Sequence, residues 1–141
     1  MTTNKISLIK VQDGAFFISD KLSKEFLEGK KLSADFASDL VLRKDDELAS
    51  MKIFVKFMHN DEKVMEYGVI TVFTIKGLSD IFSLSNEELK KNDSLIKVTG
   101  TTIGFLRGAL YKQLKGTILE SIFLPLINTE QFLEHTDINK L

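Results

Sequence analysis

Apolar and polar residues alternate through the first half of the chain and change to helical spacing in the second. Residues 6–17 (ISLIKVQDGAFF) carry β-forming side chains interrupted by Asp13 and Gly14, which predicts a first strand with a bulge or bend. Residues 19–31 are lysine-rich, with only Leu22, Phe26 and Leu27 at helical spacing, and read as a connecting loop with one helical turn. Leu32, Ala34, Phe36, Ser38, Leu40 and Leu42 then take alternate positions, with Ser33, Asp35 and Asp39 between them, so a second strand has one apolar and one partly acidic face. After a charged turn at 43–47, residues 48–59 alternate with Lys52 and Lys56 facing away from Ile53, Val55 and Phe57. A second polar turn, 59–63, leads into residues 64–75, β-branched and aromatic, where Gly68 marks a bulge or a close approach. Four strands joined this way predict an antiparallel meander.

Beyond Gly77 the period changes. Residues 78–84 read as an apolar connector, and 85–91 as a serine-capped helical turn or two. A long helix is predicted from Asp93 or Ser94 to about Lys115, with Gly116 as its stop. At 100° per residue, Leu95, Val98, Phe105, Leu106, Ala109 and Leu110, with Ile103 at the margin, form a face for the sheet. Gly100, Gly104 and Gly108 fall on the opposite side, beside Arg107, Tyr111 and Lys115. Three glycines inside a helix cost about 3 kcal/mol relative to alanine, so their bare stripe is expected to serve a close contact, read here as another subunit. The remainder is an apolar extended stretch around Pro125 and a short final helix from Asn128 or Thr129 through Glu134. The expected fold is α+β, one domain over residues 1–141: a four-stranded antiparallel sheet, a long helix on one face and a short C-terminal helix.

Composition narrows the partners. With 19 Lys and Arg scattered against 20 Asp and Glu, a net charge of -1 leaves no electrostatic footprint for nucleic acid. No apolar run is long enough to cross a bilayer, and the N-terminal residues lack the core of a signal peptide, so no membrane association is expected. The absence of cysteine excludes disulfides and thiolate metal sites and suits a cytoplasmic location.

The order of elements resembles the SecB family of export chaperones. Two stretches carry the likeness: VFTIKGL at 72–78 is similar to the end of that family's fourth strand, and FLPLINTEQFLE at 123–134 to its final segment. The resemblance implies a homotetramer, a dimer of dimers with the long helices between dimers, that holds unfolded clients in long grooves without ATP and hands export clients to the SecA translocase motor. It further implies an acidic docking face, to which Asp13 and the pair Val64 and Glu66 correspond. Phe17 stands where the export chaperones are acidic, and their acidic C-terminal extension is reduced here to HTDINKL; both departures weaken the SecA implication.

Client binding of this kind is hydrophobic burial spread over a groove. Phe36, Leu40 and Leu42 from the second strand, with Phe123, Leu124, Phe132 and Leu133 around the final helix, are the candidate lining. No catalytic, metal or cofactor role is expected: His59 and His135 lack a second ligand at metal spacing, Asp45–Asp46 and Asp61–Glu62 lie in turns, and no phosphate-binding or nucleophile motif occurs. The leading expectation is an ATP-independent holdase. The alternative is an oligomeric adaptor dedicated to one partner, such as a toxin–antitoxin protein, or to a small apolar ligand.

Overall fold

The computed structural model describes residues 5–19 and 32–141. Strands β2 (Ser33–Arg43), β3 (Leu48–His59) and β4 (Glu62–Ile75) follow one another as expected, and Asn60 turns the β3–β4 corner in left-handed backbone at φ 54°. The meander stops there. β1 (Ile6–Ile18) pairs antiparallel with β4 and not with β2, and a fifth strand, β5 (Asp137–Lys140), lies parallel to β2. The order β1-β4-β3-β2-β5 makes a mixed five-stranded sheet in place of four antiparallel strands. Strands one to four have the Greek-key order, with β1 placed beside β4 at the far end of the meander. Residues 20–31, read above as a loop with a helical turn, lie outside the described residues.

Alternation decides which face of the sheet is buried. Ala49, Met51, Ile53, Val55 and Phe57 on β3 are core, and Lys52 and Lys56 are exposed on the other face. The Asp13–Gly14 interruption is a shift in the β1–β4 register between Asp13 and Phe16. Gly68 marks a close approach. Phe54, its cross-strand partner, lays its ring where a side chain at 68 would project, and the same ring comes close to Gly14.

Two single-turn helices, α1 (Leu78–Ile81) and α2 (Asn86–Leu89), lead to α3 (Asp93–Leu114). A Ser85–Glu88 capping box opens α2; the Asn92 side chain, one residue earlier than expected, accepts from Ser94 N and Leu95 N at the start of α3. Gly116, at φ 82°, takes the left-handed conformation that ends the helix. α4 (Thr129–Glu134) is capped by Asn128.

α3 packs on β3 and β4 with a face rotated from the predicted one. Leu95, Val98, Ile103, Leu106 and Leu110 are buried, and so are Thr99, Thr102 and Leu114, whereas Phe105 faces outward. The buried threonines are tolerated because each hydroxyl is satisfied. Thr99 and Thr102 donate to Leu95 O and Val98 O at 2.8 Å each, and Thr71 Oγ1 on β4 meets Thr102 Oγ1 at 2.8 Å. Apolar counting underweights such residues, which explains the rotation.

Candidate functional site

Two apolar grooves flank the extended segment 122–128 between α3 and α4. Its central residues, Phe123 to Ile127, make no main-chain hydrogen bond within the described chain except through Arg107, which donates from Nη1 to Leu124 O at 3.1 Å and from Nη2 to Pro125 O at 3.2 Å. One guanidinium therefore holds the segment against the helix.

The first groove, about 370 Å³, lies between this segment and the back of α3. Gly104 and Gly108 form its floor, and Tyr111 and Phe123, stacked at 6.5 Å between ring centroids, stand at its side. A Cβ at Gly104 or Gly108 would meet nothing within 4 Å, whereas one at Gly100 would touch the Thr129 side chain at 3.5 Å. The stripe is thus divided: part of the close contact inferred from sequence is made by the chain's own α4, and the other two glycines face open space.

The second groove, about 330 Å³, lies across the segment, between it, α4 and β2. Phe36 and Phe132 meet there edge to face at 5.7 Å, with Ile127 and Leu126 opposite. Leu126 is 99% exposed and Phe123, despite its stack on Tyr111, 66%, so two large apolar side chains on one seven-residue segment are largely uncovered within the described chain. Phe36, Phe123 and Phe132, expected to line a groove, reach these two. Leu40, Leu42 and Leu133 are fully buried and Leu124 is 6% exposed, so these four belong to the core in this conformation. Periodicity assigned them the right face but could not tell how far α3, α4 and β5 extend over it.

β2 is also incompletely paired. β5 covers it only from Asp39 to Leu42. Leu42 O accepts from Leu141 N at 2.8 Å, and main-chain groups alternate in direction, so those of Ala34, Phe36 and Ser38 point to the same edge. Among the described residues nothing pairs with those of Ala34 and Phe36 or with the Ser38 N–H, whereas the Asp39–Asp137 register gives the Ser38 carbonyl to β5. Sequence reasoning missed this edge because it depends on where β5 ends.

The expected docking residues do not share a face. The Asp13 carboxylate accepts a hydrogen bond from Tyr67 on the helix side of the sheet, and burial followed by that bond and charge pushes the Tyr67 phenol well above its ordinary range. Glu66 lies on the opposite face, paired with Lys63 at 2.9 Å, and Val64 is buried as the extra residue of a β4 irregularity. Phe17, partner of Glu66 in the register, has Lys63 Nζ 4.7 Å from its ring centre. Outer-face charges balance: Asp35 opposes Lys56 and Asp39 opposes Lys52.

Among the described residues no group of three His, Cys, Asp or Glu could hold a metal, and no helix is long and apolar enough to cross a membrane. His135 Nδ1 lies 2.9 Å from Gln131 O on the surface. No family model matches the chain, and no curated protein matches it. Among solved structures, a SecB-like chaperone from Mycobacterium tuberculosis, in complex with a peptide from an antitoxin, is similar over 89% of this chain and 90% of its own, with a TM-score of 0.48 and 14% identity. A protein of unknown function from Streptococcus agalactiae is similar over 90% of this chain and 100% of its own, with a TM-score of 0.43 and 14% identity.

Proposed function

We propose that the protein holds unfolded polypeptide segments by burying their apolar side chains in the groove between β2 and residues 122–128, without ATP. The observation that carries this reading is the meeting of Phe36 and Phe132 in an open apolar groove beside the exposed Leu126. The reading calls for no chemical step, and no residue is assigned a catalytic role.

Magnitudes shape how such a site works. Burying one aromatic side chain of about 150–250 Å² yields roughly 4–6 kcal/mol gross, similar to the lower estimates of the cost of association. A single groove then binds weakly, and firm holding needs several grooves engaged by one client. Assembly of copies supplies them. The open floor at Gly104 and Gly108, with Tyr111 and Phe123 beside it, is the surface we assign to that assembly, with the tetramer as its expected form. Separation of Asp13, Val64 and Glu66 across the sheet gives no support to SecA docking through them.

The test is suppression of aggregation of several unrelated unfolded proteins at stoichiometric ratios, without nucleotide. Wild type is expected to protect them and Phe36→Asp to lose much of that protection while keeping its circular dichroism spectrum. Protection of one client alone identifies a dedicated adaptor. No protection of any client overturns the holdase reading.

A further inference from the structure

We propose that β5 is the chain's own occupant of the polypeptide-binding edge, and that it yields its place to clients long enough to need it. The inference rests on the polypeptide-holding reading and adds the manner in which the segment is held.

The unpaired main-chain groups of Ala34 and Phe36 and the Ser38 N–H continue the line that β5 occupies from Asp39 to Leu42. An edge of this kind accepts an extended chain by strand addition, and β5 shows within this molecule that it does so. Both sides of the open stretch have room for side chains. On the helix side lies the Phe36–Phe132 groove, and on the other a cavity of about 260 Å³ beside Ala37, Phe54 and Met58. A strand added here points successive side chains to opposite faces, so an extended segment with apolar residues at alternate positions would fill the Phe36–Phe132 groove from one side while its other side chains passed over Ala37. The open stretch, Ser33–Ser38, takes about six residues; any longer contact runs into Asp137.

β5 is built to be displaced. It is four residues long, and Ile138 is its one buried side chain. Apart from its main-chain pairing with β2 and Ile138, it is tied to the molecule by Lys140, which donates to Leu84 O and lies 5.8 Å from the centre of the Phe82 ring. Lys90, donating to Glu134 O at 2.7 Å, anchors α4 by a tie that does not involve β5.

Hydrogen exchange on the full chain tests this with two synthetic peptides of alternating leucine and threonine, flanked by lysine for solubility, about six and about twelve residues long. The short peptide is expected to slow exchange at Ala34, Phe36 and Ser38 and to leave 138–141 unchanged. The long one is expected to slow the same amides and to accelerate 138–141. Lys140→Ala, which keeps Ile138 in place, should tighten the long peptide about threefold or more and leave the short one unaltered. Binding of the long peptide with β5 protection intact overturns the proposal, as does a Lys140→Ala variant whose β5 exchanges faster but whose long-peptide affinity is unchanged. If neither peptide binds any form while unfolded proteins are still kept from aggregating, strand addition falls and the holding reading stands. If aggregation is not suppressed either, both fall.

Discussion

The Phe54 ring occupies the space that a side chain on Gly68, its cross-strand partner, would need: a Cβ at 68 would come within 2.2 Å of that ring. The same ring would be 2.9 Å from a Cβ at Gly14, so one aromatic spans three strands where two of them are bare. Gly68→Ala is expected to lower stability by about 1–3 kcal/mol through overpacking. In a Phe54→Ala background the penalty should largely vanish, a non-additivity that chemical denaturation of the four forms of the cycle measures directly.

Tyr67 links stability to alkaline pH. Its phenol is held above its ordinary value of 10.0 by burial and by Asp13, so the folded chain binds that proton more tightly than the unfolded one. Its contribution is complete below about pH 10 and declines as pH rises above it, where the unfolded chain sheds the proton first. Tyr67→Phe should cost about 1 kcal/mol at pH 8 through the lost bond to Asp13. Melting temperatures of the two proteins should converge between pH 10 and pH 11; a constant gap would show that Tyr67 is not the titrating group.

Among the described residues, Arg107 is the sole polar tie on the middle of the 122–128 segment. Arg107→Ala should lower stability by about 1 kcal/mol and raise amide exchange and proteolysis within 122–128, with little change at β3 and β4. Uniform loosening of the whole chain would mean that the guanidinium supports the core and not the segment.

Gly104 faces open space, so a leucine there meets no obstacle within the chain and improves helix propensity by about 1 kcal/mol. Gly104→Leu is therefore expected to keep or raise the melting temperature of the protomer while reducing the assembled mass. Light scattering should give about four times 16.0 kDa for wild type and less for the variant. An unchanged mass would place the subunit contact elsewhere.

The strands were legible because one buried face imposes a period of two, which β2 and β3 keep from end to end and β4 keeps beyond its irregularity at Val64. Their order was not. Nothing local to β1 says that it pairs with β4, although the long 19–32 connection is the length that a non-adjacent placement needs. β5 escaped notice because Asp137, Asn139 and Lys140 have little strand preference and the pairing with β2 alone defines it. Of the groove, the aromatic members Phe36, Phe123 and Phe132 were legible; the open edge beside them was not, since main-chain vacancy leaves no mark on side-chain pattern. The rotated face of α3 came from threonines whose hydroxyls are satisfied by the helix itself.

The hydroxyl pair between Thr71 and Thr102 has a mechanical effect on everything outside it. Oil-like contacts alone let a helix slide along a sheet, but a directional bond in a dry interface acts as a dowel. Slippage of α3 by one turn, about 5.4 Å, would carry Arg107 away from the carbonyls it grips and redraw both grooves at once. On the polypeptide-holding reading, adaptation to different clients would thereby be confined to the periphery, where Leu126, Phe123 and the C-terminal strand would move against a backing that stays in register.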